Sequence, residues 1–309
     1  MANTLSRLDF LQMMGVGGLV FATGLPGWAN GPGRQAGEKF YFAQLSDTHW
    51  GFSGDKINPD AKGTLPKAIE AVNGLDPQPD FVIFTGDLTH NTDDPQVRRA
   101  RMAEFKVQAA KLKAGKVLFL PGEHDAGDDQ GAAYHEAFGE SRYAFIHKGV
   151  HFIALDNVSQ EMSTLGPAQL KWMASEVAKV PRDAPLVIFA HRPLFDLYPD
   201  WDWRTGDGED ALNLLKDHKH VTVFYGHIHQ ENHHATGHIL HHSANSLIFP
   251  LPAPGSQPKR APVPWDPEHP YKGLGFREVH ALQAGKGALR TTIEERAMAQ
   301  FLAAAGVKG

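Results

Sequence analysis

The chain has 309 residues, enough for one large domain with a substantial core. It contains no cysteine, so disulfides and thiolate metal sites are excluded, and a bound metal ion must rely on histidine and carboxylate ligands. The formal net charge is −5, and Lys and Arg are dispersed rather than gathered into a basic stripe, which argues against a protein that binds duplex nucleic acid.

The N-terminal segment is typical of an export signal. Residues Phe10–Gly33 carry no charge, but glycines and prolines interrupt an apolar run that is short for a membrane span of roughly 20 residues. Residues Ser6–Leu11 resemble a twin-arginine signal in which Leu8 replaces the second arginine, and Gly27–Ala29 supplies small residues for cleavage. We predict a periplasmic or secreted protein without a membrane span in its mature form; an uncleaved anchor or a disordered leader is the alternative. The predicted boundaries are a signal peptide over residues 1–29, a linker over 30–38 and a single domain over 39–309.

From Lys39 onward, apolar runs of strand length alternate with helical patterns, which indicates an α/β domain. Continuous β-branched and aromatic runs are typical of strands buried on both faces. The predicted strands of this kind are Lys39–Leu45, Phe81–Phe84, Val117–Leu120, Leu186–Phe189 and Val221–Phe224. The predicted helices are Leu65–Leu75, Pro95–Leu112 and Gly166–Val180, the last two with a proline in the first turn. Tyr143–Ile146 and Phe152–Leu155 are predicted to form a hairpin around Gly149.

The C-terminal third predicts a covering loop followed by closing elements. Phe249–Pro270 contains eight prolines, which favours a loop without regular structure over a second domain. Gly275–Leu282 and Ala288–Glu294 alternate as strands do, and Glu295–Ala305 is predicted to be a helix.

Metal-binding residue types follow each of the five buried runs. They are Asp47-Thr48-His49, Gly86-Asp87, Gly122-Glu123-His124-Asp125, His191-Arg192-Pro193 and Gly226-His227-Ile228-His229. Open α/β sheets place their binding crevice beyond the carboxyl ends of the strands, so these side chains are expected to converge there.

This ordered set resembles the calcineurin-like binuclear metallophosphoesterases over roughly Lys39–His280. Their pattern of Asp-x-His, Gly-Asp, Gly-Asn-His-Asp/Glu, His-x-Pro and Gly-His-x-His is matched in order, with one departure at Glu123. The resemblance implies a four-layer αββα sandwich of two mixed β-sheets flanked by helices. The sequence pattern alone supports the α/β class but not the second sheet.

The resemblance also implies a centre for two divalent metal ions, with manganese, iron and zinc all suited to these ligands. By position, Asp47, His49 and His229 would hold the first ion, Asp87 would bridge, and Glu123, His191 and His227 would hold the second. Two such ions neutralise a phosphoryl group and lower the pKa of a shared water. For His227 and His229 to serve different ions, the backbone after Gly226 must bend.

Next to these ligands, His124 falls where the family places a histidine that assists the leaving oxygen. Asp125 can orient or charge that ring, or it can be a turn residue before Ala126. Glu123 replaces the family asparagine with a carboxylate. The extra negative charge is expected to hold the second ion more tightly and make it a poorer Lewis acid, so turnover is modest or the preferred metal changes.

Three further segments raise alternatives. His90 stands where purple acid phosphatases have a tyrosine ligand, which argues against a ferric–tyrosinate centre. His90 and Asn91 are candidates for the pocket rim or a solvated loop. Trp201, Trp203 and Arg204 can line the substrate mouth or pack as an ordinary loop. A second histidine cluster predicts a strand with polar positions outward, or an accessory metal site. It comprises His233, His234, His238, His241 and His242.

Taken together, these patterns predict an exported, metal-dependent phosphoesterase acting on a small-molecule phosphate ester. A phosphodiester is preferred because the overall pattern most resembles bacterial, class III cyclic-nucleotide-type phosphodiesterases. One alternative is a phosphomonoesterase that uses the same site. The other is a metal-binding protein whose catalysis is weakened by Glu123.

Overall fold

Two mixed β-sheets of six strands each lie face to face in the computed structural model, which describes residues 19–22, 39–284 and 288–306. Apart from the short strand at residues 19–22, the predicted signal peptide and linker lie outside these ranges. In chain order the strands are β1 (Leu19–Ala22), β2 (Lys39–Leu45), β3 (Phe81–Thr85), β4 (Val117–Leu120), β5 (Tyr143–His147), β6 (Val150–Ala154), β7 (Pro185–Phe189), β8 (His220–Tyr225), β9 (Asn232–Thr236), β10 (Ile239–Ser243), β11 (Gly275–Ala284) and β12 (Ala288–Ala297).

The first sheet has an antiparallel half and a parallel half, whereas the second has a parallel centre and antiparallel edges. The first sheet has the order β1-β12-β11-β2-β3-β4, and β2, β3 and β4 run parallel. The second has the order β5-β6-β7-β8-β10-β9, and β6, β7, β8 and β10 run parallel. The carboxyl ends of the parallel strands therefore share one edge in each sheet. The second sheet, which only the family resemblance implied, is confirmed.

Phenylalanine rings fill the space between the two sheets. Phe42 on β2 stacks on Phe81 with ring centroids 4.8 Å apart, and it meets Phe189 and Phe224 of the facing sheet edge-on at 5.6 and 5.4 Å. All four rings are buried, and aromatic pairs in these offset and edge-on arrangements are stabilising beyond the area they bury. Aromatic side chains thus fill the inner faces, and because helices cover the outer faces, both faces of the strands are buried and their sequences are apolar without alternation.

Helices cover both outer faces of the sheet pair. They are α1 (Thr64–Asn73), α2 (Pro95–Ala109), α3 (Glu123–Ala126), α4 (Ala132–Phe138), α5 (Gly166–Val177), α6 (Gly208–Leu215) and α7 (Met298–Ala304). Helices α1, α2, α4 and α7 pack on the first sheet, where Phe105 meets Phe84 edge-on at 5.2 Å. Helices α5 and α6 pack on the second sheet. The four-layer αββα fold is therefore confirmed.

Local sequence signals explain where several elements begin and end. Helix α2 begins at Pro95 after the N-cap residue Asp94, whose carboxylate accepts hydrogen bonds from the backbone N–H groups of Gln96 and Val97.

The predicted hairpin forms as β5 and β6, and residues 250–270 contain no helix or strand, as expected. In the described ranges, no helix has the length and apolar character needed to span a bilayer.

Two predictions about elements were wrong in part. Residues Glu295 to Ala297 belong to β12, because Glu295 lies opposite Arg277 on β11 and accepts a 2.7 Å hydrogen bond from its Nε; the last helix begins only at Met298. The second histidine cluster forms the hairpin of β9 and β10, but His241 and His242 are buried rather than directed outward.

Candidate metal centre

The polar segments that follow five apolar strands converge at one edge of the sheet pair. Asp47 and His49 follow β2, Asp87 follows β3, Glu123 follows β4, His191 follows β7, and His227 and His229 follow β8. Their donor atoms form two groups, and within each group the atoms lie within 4.8 Å of one another. The first group is Asp47, His49, Asp87 and His229, and the second is Glu123, His191 and His227. The fold thus brings all seven side chains together in the grouping that the family resemblance implies.

Asp87 faces both groups with a single oxygen atom. Its Oδ2 lies 3.3 Å from Nε2 of His49 in the first group and 3.5 Å from Nε2 of His191 in the second. Its Oδ1 accepts a 2.9 Å hydrogen bond from the backbone N–H of His124, which fixes the carboxylate plane. This is the position that a bridging carboxylate requires.

In the first group, the ring nitrogens of two histidines meet beside a buried carboxylate. Nε2 of His229 lies 3.2 Å from Nε2 of His49 and 3.4 Å from Oδ1 of Asp47. The other nitrogen of His229, Nδ1, faces the backbone oxygen of Phe249 at 2.7 Å. The Phe249 ring stacks on both imidazoles. Backbone and aromatic contacts therefore direct Nε2 of His229 into the site.

In the second group, the Glu123 carboxylate spans two histidines. Oε2 lies 2.9 Å from Nε2 of His191, and Oε1 lies 2.7 Å from Nδ1 of His227. Nδ1 of His191 faces the backbone oxygen of Thr85 at 2.7 Å. Glutamate at this position therefore reaches the same pair of imidazoles that would share a metal ion with it.

The backbone at these residues has a conformation that the sequence did not reveal. Five of the seven adopt a left-handed conformation, with positive φ at Asp47 (54°), His49 (42°), Asp87 (48°), His227 (65°) and His229 (51°). Non-glycine residues rarely adopt it, and such strain is concentrated at functional sites. Because His227 and His229 are both left-handed, the chain bends after Gly226 and sends the two rings to different groups.

Two glycines permit the close approach of the strand ends. A Cβ on Gly86 would lie 2.2 Å from Nδ1 of His191, and one on Gly122 would lie 2.0 Å from Oδ1 of Asp87. Gly86 also has a φ of +96°, which disfavours a side chain. Contact therefore requires glycine in both the Gly-Asp and the Gly-Glu-His motif, and at Gly86 the backbone conformation requires it as well.

The carboxylates of Asp47 and Glu123 and the imidazole of His227 have the protonation states that bind metal ions. Burial alone would raise the pKa of Asp47, but the facing His229 imidazole leaves it lowered, and His227 and His191 likewise hold the pKa of Glu123 well below its usual range despite burial. Burial lowers the pKa of His227 to about 4 although Glu123 opposes the shift. Ionised carboxylates and neutral imidazoles are the forms that bind metal ions.

His191 shows that the second group favours a positive charge. Burial alone would lower its pKa, but the carboxylates of Asp87 and Glu123 raise it well above the ordinary value. A cation other than a proton can satisfy the same carboxylates. In addition, Nε2 of His191, both ring nitrogens of His227 and Oε2 of Glu123 are buried and form no hydrogen bond of acceptable geometry among the described residues, although the Glu123 oxygens approach His191 and His227 to 2.9 and 2.7 Å. These donor atoms fit a divalent metal ion.

His124 lies beside the centre with one ring nitrogen engaged. Its Nδ1 accepts a 3.4 Å hydrogen bond from the backbone N–H of Asn91. Its ring meets His49 edge-on at 4.5 Å between centroids. His124 is therefore next to the first group, and among the described residues its Nε2 has no hydrogen-bond partner.

Asp125 does not orient His124, contrary to one of the two alternatives from the sequence. Its two oxygens accept hydrogen bonds from the backbone N–H groups of Leu88, Thr89 and Gly122 and from the Thr89 hydroxyl, at 2.8 to 2.9 Å. Burial raises its pKa to about 7, and the neighbouring Asp87 adds to the rise. Asp125 joins the loop after β3 to the loop after β4, which is a structural role close to the turn alternative.

The remaining sequence candidates divide between packing and the site. Trp201 and Trp203 are buried in the core beneath the second sheet, so they do not line a substrate mouth, and the packing alternative is correct. In the β9–β10 hairpin, Nδ1 of His233 lies 2.7 Å from Nδ1 of His242. Within the residues that the structure describes, that hairpin contains no group of three or more metal-binding side chains. His90 is a true neighbour of the centre, because its Nδ1 lies 3.2 Å from Nδ1 of His49.

Comparison with known proteins points to one family. The sequence model of the calcineurin-like phosphoesterases matches residues 40–231. The mouse serine/threonine-protein phosphatase CPPED1 is 27% identical over 199 residues, which cover 57% of this chain and 62% of that protein. A probable cyclic nucleotide phosphodiesterase from Rhodopseudomonas palustris is 25% identical over 244 residues, which cover 70% of this chain and 83% of that protein.

Among solved structures, a dimetal phosphatase from Danio rerio has a similar fold. The TM-score is 0.60 at 12% identity, and the match covers 83% of this chain and 99% of that one. At this identity the similarity concerns the arrangement of sheets and helices alone.

Proposed function

The chain belongs to the calcineurin-like phosphoesterase family, and from that membership we propose that it is a metal-dependent enzyme that hydrolyses small-molecule phosphodiesters. The observation that carries the proposal is the position of Asp87 Oδ2, within 3.5 Å of a histidine nitrogen in each of the two donor groups. The proposed ligands are Asp47, His49, Asp87 and His229 for one ion and Asp87, Glu123, His191 and His227 for the other. Manganese, iron and zinc all suit this donor set.

Two divalent ions in such a site supply charge neutralisation for the phosphoryl group and acidify water. The chain itself supplies a hydrogen-bond donor for the leaving oxygen. Because Nδ1 of His124 accepts a hydrogen bond from Asn91 N–H, the neutral ring carries its proton on Nε2. His124 can therefore donate a hydrogen bond from Nε2–H to the leaving oxygen and stabilise the negative charge that develops there.

A phosphodiester is the preferred substrate in this proposal. The relative from R. palustris, which the chain matches over the larger share of both proteins, is described as a probable cyclic nucleotide phosphodiesterase. The mouse relative is described as a phosphatase, so hydrolysis of a monoester at the same site is the second candidate.

The test compares bis(4-nitrophenyl) phosphate with 4-nitrophenyl phosphate in the presence of manganese. We expect the higher kcat/KM for the diester and loss of hydrolysis of both esters in Asp87→Asn. His220→Phe, at the opposite end of β8 from His227, is the matched control and should retain activity. A higher kcat/KM for the monoester would favour the phosphomonoesterase. Bound metal without hydrolysis of either ester would favour a metal-binding protein.

Glu123 provides a second test, because its carboxylate adds a third negative charge to those of Asp47 and Asp87. Glu123→Asn removes that charge and one contact with the histidine pair. We expect manganese at the second position to bind about 10-fold to 100-fold more weakly, as is usual when a metal site loses such a partner. We also expect kcat at saturating manganese to rise, because the ion becomes a stronger Lewis acid. Unchanged metal content and activity would mean that Glu123 is not a ligand.

We also propose export through the N-terminal segment, which the sequence supports by its resemblance to a twin-arginine signal. N-terminal sequencing of protein recovered from a cell envelope fraction is the measurement. A first residue at or near Asn30 would support cleavage after Ala29. A full-length chain confined to the cytoplasm would contradict export.

A further inference from the structure

His90 is in contact with two functional imidazoles, although the proposed function gives it no role. Its Nδ1 lies 3.2 Å from Nδ1 of His49, and its ring stacks on His124 with centroids 4.9 Å apart and 24° between planes. Phe52 meets the His90 ring edge-on at 5.1 Å. The His90 imidazole therefore packs against both a proposed ligand and the histidine proposed to assist the leaving group.

The backbone of His90 is held in place from both sides. Its N–H donates to the backbone oxygen of Trp50 at 3.0 Å, and its carbonyl accepts a 2.7 Å hydrogen bond from Nη1 of Arg101. These contacts limit the movement of the ring relative to the loop that carries His49. The short distance between the two Nδ1 atoms is thus a property of the folded loops.

The chemistry of His49 determines what this contact does. Nε2 of His49 faces Asp87 and His229, so it is the atom that would bind metal. The proton of the neutral ring is then on Nδ1 and is donated to Nδ1 of His90. A ligating histidine usually donates its other N–H to a carboxylate, a backbone carbonyl or water, which fixes its tautomer and its orientation.

His49 differs here from two other proposed ligands. Nδ1 of His191 and Nδ1 of His229 face the backbone oxygens of Thr85 and Phe249, both at 2.7 Å. The corresponding partner of His49 is a side chain. It can therefore be changed by substitution without altering the backbone.

We propose that His90 is a positioning residue with two actions: it accepts the His49 Nδ1 proton and so directs Nε2 toward the first metal ion, and its ring supports His124. The inference rests on the proposed function, since it requires that His49 binds a metal ion. It adds a residue-level determinant of metal affinity that is separate from the ligands themselves.

Two substitutions separate the two actions. In His90→Asn, Oδ1 is two bonds from Cβ, as Nδ1 is in histidine, so the acceptor is retained and the ring is lost. In His90→Phe, the ring is retained and the acceptor is lost. His220→Phe is the control for a histidine-to-phenylalanine change remote from the site. Circular dichroism checks folding, manganese titration calorimetry gives affinity, and bis(4-nitrophenyl) phosphate hydrolysis gives kcat and KM.

For His90→Phe we expect manganese affinity at the first position to fall about 10-fold to 100-fold, with near-normal kcat once manganese is saturating. For His90→Asn we expect wild-type manganese affinity but a lower kcat at unchanged KM, because His124 has lost its supporting ring. Wild-type affinity in the phenylalanine variant would overturn the proposal, as would equal loss of affinity in both variants. If the phenylalanine variant does not fold, the asparagine variant decides alone: retained affinity with lowered kcat supports the proposal, and any other result overturns it.

The failure of the proposed function has a different outcome. Wild-type protein that binds no manganese and hydrolyses neither nitrophenyl ester would contradict the metallophosphoesterase itself. Wild-type protein that does both, combined with an unaffected His90→Phe variant, would contradict only the role of His90.

Discussion

At the residue scale, Asp125 contributes more to the structure of the site than its position in the Gly-Glu-His-Asp motif indicates. One buried carboxylate satisfies three backbone N–H groups and one hydroxyl, and these belong to the loops that present Asp87 and Glu123. A buried donor that loses its acceptor costs roughly 1–3 kcal/mol. The geometry of the proposed bridging ligand therefore depends on a residue that contacts neither the metal positions nor the His124 ring.

We predict that Asp125→Asn destabilises the protein by about 2–4 kcal/mol, because an amide has one acceptor oxygen where the carboxylate has two. Urea denaturation gives the free energy of unfolding, and Asp93→Asn, an exposed acidic residue in the same region, is the control. A change below about 0.5 kcal/mol, as is usual for surface substitutions, would show that water replaces the lost acceptor.

Individual residues also show which features of the site could be predicted from the sequence. The identity and pairing of Asp47, His49 and His229 were predictable, because an ordered set of motifs implies a known site. The left-handed backbone at these residues was not, since their side chains do not favour that conformation as glycine does. The position of His90 was also hidden, because its contact with His49 depends on how two separate loops pack.

At the element scale, one acidic residue ties the two sheets together at the end remote from the metal centre. Asp80, just before β3, accepts a 3.0 Å hydrogen bond from the backbone N–H of Tyr41 on β2. Its other oxygen lies 2.6 Å from Nζ of Lys148, in the turn between β5 and β6. The first sheet and the β5–β6 hairpin of the second sheet therefore meet at this carboxylate.

The contacts of Asp80 with Lys148 and Tyr41 predict that the stability of the protein depends on pH. Burial alone would raise the pKa of Asp80, but Lys148 and the Tyr41 N–H leave it below its usual value of 3.8. A carboxylate with a lowered folded-state pKa contributes stability that is present above 3.8 and is lost as the pH falls through the lower, folded-state pKa. We expect Asp80→Asn to cost about 1 kcal/mol at pH 7 and the difference from wild type to shrink below pH 4. Denaturant titrations at pH 7, 5, 4 and 3 measure it, and a difference that is constant with pH would contradict the ion pair.

Strands and helices were predicted best where burial alone determines which residue types the sequence must have. The continuous apolar runs of β3, β4, β7 and β8 were identified because strands covered on both faces must be apolar throughout. The predictions failed where a polar side chain is buried by a specific partner. Glu295 continues β12 because Arg277 lies opposite, and no local pattern in the sequence reports a cross-strand ion pair.

At the scale of the whole molecule, the centre draws side chains from both sheets. Asp47, Asp87 and Glu123 follow strands of the first sheet, and His191, His227 and His229 follow strands of the second. A bound cation would therefore link the two halves of the sandwich. Metal binding and global stability are expected to be coupled, because a ligand that binds only the folded state stabilises it.

We predict that removal of metal by a chelator lowers the melting temperature. At a free metal concentration 100-fold above Kd the stabilisation is about 2.7 kcal/mol, which corresponds to a shift of about 5–10 °C. Calorimetry of chelated protein before and after addition of manganese is the measurement. Asp87→Ala should show little dependence on the chelator. Identical melting temperatures with and without metal, with metal loss verified by elemental analysis, would contradict the coupling.

The left-handed conformation of five donor residues has a consequence for engineering. Copying the seven side chains onto another scaffold would not recreate the centre, because their directions depend on a backbone path that the glycines and neighbouring loops enforce. A successful transplant would have to carry the strand termini with their loops as complete units, so the smallest portable version of this chemistry is a large part of both sheets.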